Sequence, residues 1–124
     1  MVKGSCLCGA VRFEVMSDSI PSSACHCGQC RRWSGHFWAA GWVPESEVRV
    51  EGEVSWFASS DTARRGFCGR CGSALFWKHN DEAEISFALG ALDGPTGLSL
   101  DKHIFVADKG DYYDIADGLP QSEN

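Results

Sequence analysis

The sequence has no long apolar run: nothing in its 124 residues approaches the roughly 20 that a membrane-crossing helix needs. The opening residues, Met1-Val2-Lys3-Gly4-Ser5-Cys6, lack the apolar core of an export signal, so a cytoplasmic protein is expected. Basic residues are few. Eleven Lys and Arg stand against 17 Asp and Glu, for a formal net charge of −6, which disfavours nucleic acid and anionic lipid as partners. No long amphipathic helical pattern, fixed-period repeat or low-complexity tract is present. The cysteine count, seven, is odd, and a disulfide framework does not suit an unexported chain.

Short alternating segments are what is present. Val11, Phe13 and Val15 alternate with Arg12 and Glu14, and Ile85, Phe87 and Leu89 alternate with Ser86 and Ala88. His36 to Val43, Val48 to Val50, Val54 to Phe57, Thr62 to Phe67, Ala74 to Lys78, His103 to Val106 and Tyr112 to Ile115 read as further strand-like stretches. A loop with Pro21 and two serines precedes the middle cysteines, and Gln29 to Ser34 suits one helical turn ending at Gly35. The pattern predicts a mainly β protein of packed antiparallel sheets, with a single domain over residues 1–116 and a frayed tail over 117–124.

No cysteine stands alone. They form Cys6-x-Cys8, Cys25-x-Cys27-x-x-Cys30 and Cys68-x-x-Cys71, the close spacing that a shared metal demands. Glycine follows Cys8, Cys27 and Cys71, as tight knuckle turns require. Cys6, Cys8, Cys68 and Cys71 would close a four-thiolate zinc site joining two distant parts of the chain. Cys25, Cys27 and Cys30 leave one tetrahedral corner over. His36, His79 or His103 could fill it and make the site structural, or a water or substrate could. His26, between two cysteines, would point away from both sulfurs in extended backbone. Metal-free redox thiols are a weaker third reading.

An open corner implies a particular chemistry. Three thiolates make zinc a weak Lewis acid, which favours a soft sulfur guest over water. A thiol bound there loses its proton and can attack an electrophilic carbon. Arg31 and Arg32 follow Cys30, and Arg64 and Arg65 precede Cys68. Their forks suit the carboxylates of a small thiol substrate, and Arg31 and Arg32 are the pair expected to bind it, although the ordinary reading of any one of them is a solvated surface charge. Trp33 and Trp38 flank the triplet and are expected to border a pocket. The aspartates of the last third, Asp93 to Asp114, show no calcium-loop spacing and read as turns and solvated surface.

Three ordered motifs carry a family resemblance. Gly4-Ser5-Cys6-Leu7-Cys8-Gly9-Ala10-Val11-Arg12-Phe13, Cys25-His26-Cys27-Gly28-Gln29-Cys30-Arg31 and Phe67-Cys68-Gly69-Arg70-Cys71-Gly72-Ser73 resemble those of the glutathione-dependent formaldehyde-activating enzymes, a group that includes centromere protein V. The C-terminal stretch from His103 to Pro120 is similar as well, with Phe105 where the family often has tryptophan. The resemblance implies a β fold related to methionine sulfoxide reductase B. It implies a structural zinc on Cys6, Cys8, Cys68 and Cys71 and a catalytic zinc on Cys25, Cys27 and Cys30. It further implies a carbon–sulfur lyase activity that joins a glutathione-like thiol to formaldehyde. A module with two structural zincs and a binding surface for protein is the alternative.

Overall fold

The computed structural model describes residues 1–124. Ten strands form two sheets, and one short helix interrupts them. The first sheet has three antiparallel strands in the order β1 (Val2–Ser5), β2 (Arg12–Val15), β5 (Val48–Glu51). Phe13 of β2 sits opposite Gly4 on one side and Val50 on the other.

The second sheet has seven strands, in the order β10, β3, β4, β9, β8, β7, β6. In chain order these are β3 (Ser22–Cys25), β4 (Trp38–Pro44), β6 (Val54–Ala58), β7 (Ala63–Cys68), β8 (Ala74–His79), β9 (Glu84–Ala88) and β10 (His103–Ile104). All pairings are antiparallel except β10 with β3. No helix is long and apolar enough to cross a membrane.

The two-residue period of the large sheet divides its labour between two faces. The register row Gly41, Phe87, Phe76, Gly66 includes the rings that meet the small sheet. There Phe13 packs edge-on against Phe76 at 5.1 Å and lies 6.1 Å from Phe87. Val11, Val15, Val43, Leu75 and Ile85 complete this core, and Cys6 and Cys68 belong to it. Burying each such large side chain contributes about 1.5–3 kcal/mol. The next row, Trp42, Ser86, Trp77, Arg65, lines the opposite side.

Several expectations change. Ser22–Cys25, expected as a loop, is an internal strand. Its buried Ser22 finds partners far along the chain: Asp101 Oδ2 accepts from the Ser22 N–H at 3.0 Å, and the Ser22 hydroxyl donates to the Ser99 carbonyl at 3.3 Å. Val2–Ser5 also pairs as a strand. Leu89 leaves its strand for a 3-10 turn, Leu89–Ala91.

Tyr112 to Ile115 forms no strand. Tyr113 instead turns inward and stacks on His26, 5.5 Å between ring centres. The stretch expected to fray is stitched down. Pro120 accepts from the His103 N–H at 2.9 Å, the Ser122 N–H donates to His103 at 2.9 Å, and Ser122 in turn accepts from the Val106 N–H at 3.0 Å.

The helix, α1 (Gly28–Ser34), ends where expected. Gly35 takes φ 90°, a left-handed cap that a side chain would oppose, and its N–H donates to the Arg31 carbonyl. Gly52, between β5 and β6, is fixed for a second reason. At φ 92° an added Cβ would lie 2.0 Å from the Ala10 carbonyl oxygen, beside the first cysteine knuckle.

Candidate functional site

Two turns bring the outer cysteines together. Cys6 and Cys8 lie in the β1–β2 connection, while Cys68 ends β7 and Cys71 lies in the loop that leads to β8. The two turns are tied directly, since the Leu7 N–H donates to the Ser73 hydroxyl at 2.9 Å. All four sulfurs fall within 4.8 Å of one another. Cys6 and Cys8 are 3.6 Å apart, and Cys8 and Cys68 3.8 Å. A tetrahedral ion with Zn–S bonds of about 2.3 Å needs sulfurs ~3.8 Å apart, and these two separations suit zinc. Burial opposes ionisation of Cys6, but the Val11 N–H, donating to its sulfur at 3.3 Å, helps bring its pKa below the ordinary thiol value; the Arg70 N–H donates to Cys68 at 3.4 Å. The Ser73 hydroxyl, 3.2 Å from the sulfur, is the main cause of a Cys71 thiol lowered to about 5.

The inner three cysteines converge from one strand end and one helix start. Cys25 ends β3, Cys27 caps α1 and Cys30 lies in its first turn. The cap is made by sulfur, with Cys27 Sγ accepting the Cys30 N–H at 3.4 Å. The three sulfurs also lie within 4.8 Å of one another. Their acidities divide sharply. The hydrogen bond with Cys25, then the Arg65 charge, carry Cys30 down to about 6 against the effect of burial. That same bond, with burial, pushes Cys25 up. Ligand thiols must all be ionised, and a dication between them is what permits that. Both sulfur groups therefore suit zinc.

No histidine joins the trio, and no carboxylate does. His26 is fully buried and faces away, as its place between two cysteines predicted. Its Nε2 lies 2.9 Å from His103 Nδ1, and its Nδ1 meets the Tyr113 hydroxyl. Burial above all, then the neighbouring His103, lowers it to about 4. His103 is occupied in turn by Asp117, at 2.7 Å. His36 bonds the Tyr112 hydroxyl at 2.7 Å, and His79 accepts the Asp81 N–H at 3.2 Å. The Cys₃His alternative is not assembled.

The trio opens on a cavity of about 410 Å³, within the range of ordinary ligand sites. Trp38, Trp42 and Trp77 form its aromatic walls, and Ser23, Ser59, Ser60, Thr62 and Ser86 supply hydroxyls. Its charged side chains are Arg65 and Lys102. It contains no carboxylate, in a chain whose formal charge is −6.

Arg31 and Arg32 do not line it. On a helix each residue turns about 100° from the last, so with Cys30 facing inward Arg31 is only half-buried and Arg32 is exposed. The guanidinium that lines it is that of Arg65. Trp38 borders this cavity as expected; Trp33 lies beneath the Arg65 guanidinium, 4.9 Å from ring centre to Cζ, and lines a second cavity that it shares with Trp38. Lys102, Trp42 and Trp77 carried no sequence signal of their own. Arg65 carried a faint one, because it shares the strand parity of buried Ala63.

Comparison with known proteins agrees with this architecture. A Schizosaccharomyces pombe protein named an uncharacterized lyase is 32% identical over 116 residues, covering 92% of this chain and 85% of its own. A Halomonas elongata protein, provisionally named a glutathione-dependent formaldehyde-activating enzyme, is 33% identical over 88 residues, covering 61% of this chain and 55% of its own. The crystal structure of a Rhodobacter sphaeroides protein superposes with a TM-score of 0.62 at 27% identity, covering 77% of this chain and 91% of that one. The sequence profile of the glutathione-dependent formaldehyde-activating enzymes matches residues 1–108, a span that holds all seven cysteines. The chain belongs to that family.

Proposed function

We propose that this protein is a zinc-dependent carbon–sulfur lyase, acting reversibly on a small anionic thiol of the glutathione kind and an aldehyde such as formaldehyde. Cys6, Cys8, Cys68 and Cys71 hold a structural ion, and Cys25, Cys27 and Cys30 hold the catalytic one. The observation that carries the reading is the contrast between the two sulfur groups. Four thiols close one site, while the other three, joined by no fourth side chain, open on a cavity lined by cations and free of carboxylates.

The zinc, when bound, acidifies a thiol brought against it and keeps it as thiolate. The chain's own residues do the rest. Lys102 attracts the carboxylates of the thiol, the tryptophan walls exclude water, and the hydroxyls offer hydrogen bonds to the aldehyde oxygen. In the synthetic direction the thiol loses its proton to solvent and its sulfur forms a bond to the carbonyl carbon. The C=O π pair moves to oxygen, which takes up a proton, giving an S-hydroxymethyl adduct with all atoms of both reactants.

Proton exchange spectroscopy of glutathione with formaldehyde tests the reading, since the protein must accelerate adduct exchange beyond the spontaneous rate. Cys27→Ser, at the rim of the trio, should abolish the acceleration while melting within a few degrees of wild type. A wild-type protein with two zincs per chain and no effect on exchange would favour the non-catalytic zinc module, and so would a Cys27→Ser variant that fails to fold.

A further inference from the structure

We infer that Arg65 is the built-in counter-ion of the three-cysteine site and sets how readily that site accepts an anionic guest. The inference rests on the reading of that site as open to a thiol.

Arg65 is only 5% exposed. A buried guanidinium is heavily penalised unless an opposite charge compensates it. None of the usual partners does so. The carboxylates that meet a basic side chain are Glu14, beside Lys3, and Asp117, beside His103, and neither reaches Arg65. What Arg65 meets is sulfur: Nη1 and Nη2 donate to Cys30 Sγ at 3.6 and 3.7 Å, a two-pronged contact on one atom. Nη2 also donates to the Gln29 side-chain oxygen at 3.2 Å, and Trp33 stacks below. Nε has no partner. The one neighbour able to carry a compensating negative charge is the cysteine trio.

Charge then explains the placement. Three thiolates around a dication leave one net negative charge, and one guanidinium cancels it. A fourth thiolate entering this neutral group brings it to one negative charge; without Arg65 it would bring it to two. The fork also draws electron density from Cys30, leaving the site a better acceptor for the incoming sulfur. Arg65 touches no guest in this account. It is a positioning residue that acts through Cys30, distinct from Lys102 at the cavity rim.

The test uses the intact protein with cobalt in place of zinc, whose visible absorption responds to a fourth ligand. Two guests are titrated, 2-mercaptoethanol, which binds as an anion, and imidazole, which binds neutral. Arg65→Met should bind 2-mercaptoethanol about ten- to a hundredfold more weakly, with imidazole changed by less than about twofold. Arg65→Lys, which restores the charge without the fork, should recover most of the loss. Equal weakening of both guests would mark a merely structural role and overturn the inference, as would an Arg65→Met variant that binds the thiol like wild type. Should Arg65→Met not fold, Arg65→Gln and Arg65→Lys give the same contrast. A wild-type protein whose spectrum responds to neither guest would remove the open-site reading, and the inference with it. A wild-type response that is unaltered in the variants would remove the inference alone.

Discussion

Replacing Cys68 by serine tests what the outer four cysteines do for the fold. Cys68 is 2% exposed, sits at the end of β7 and lies 3.8 Å from the Cys8 sulfur, 60 residues away in sequence. Metal binding there ties the first connection of the small sheet to the central hairpin of the large one. Treated as a cross-link across that 60-residue span, the tie removes about 4 kcal/mol of chain entropy from the unfolded state. That is a large share of the ~5–15 kcal/mol by which a domain is ordinarily stable. For a chain of 124 residues it corresponds to a fall of roughly 15 °C in melting temperature. The metal–sulfur bonds contribute further, while a metal retained by Cys6, Cys8 and Cys71 would return part of the tie.

Differential scanning calorimetry of the zinc-loaded wild type and of Cys68→Ser, each with and without a chelator, measures the effect. The chelator should lower the wild type at least as far as the substitution does, and should lower the variant by less. A variant melting within about 3 °C of wild type, or a chelator that leaves the wild type unmoved, refutes the reasoning.

Other outcomes follow from the same structure. Phe13→Ala removes a ring that is 2% exposed and packed on two others; it should cost about 3–5 kcal/mol in urea unfolding, and a loss below about 1 kcal/mol would show that the sheets close up over the gap. Lys102→Ala should weaken binding of a carboxylate-bearing thiol such as mercaptopropionate by about tenfold and leave 2-mercaptoethanol unchanged, both read on the cobalt-substituted protein. The His103 hydrogen bond holds the Asp117 carboxyl below its usual 3.8. The detached C-terminal segment therefore binds more protons than the docked one, and docking strengthens as pH rises. Its contribution is complete above that value and lost as pH falls through the lowered one. Amide exchange at Ser122 should show this acid release, and Asp117→Asn should remove the pH step.

Much of the site was legible because metal ligation leaves short, regular marks. Cysteine gaps of one and two residues identified both sulfur groups, and strand alternation placed His26 on the face away from them. Period-two patterning likewise marked β2 and β9, whose inward residues are apolar. Other features left no local mark. β3 is hidden because two of its three buried positions are serines, and Ser22 finds its partners in Ser99 and Asp101, 77 and 79 residues further on. Arg31 and Arg32 were favoured over Arg65 because adjacency in sequence stands in poorly for adjacency in space once Cys30 lies on a helix. Tyr112 and Tyr113 have strand composition, but their hydroxyls find His36 and His26 instead of a ladder.

Three of the five tryptophans, Trp38, Trp42 and Trp77, wall the cavity beside the inner cysteines. Their emission is therefore exposed to whatever enters, and a polarisable sulfur or a cobalt ion would quench it at close range. The molecule carries its own optical gauge of occupancy, and ligand discovery can proceed by ultraviolet fluorescence on the unlabelled chain.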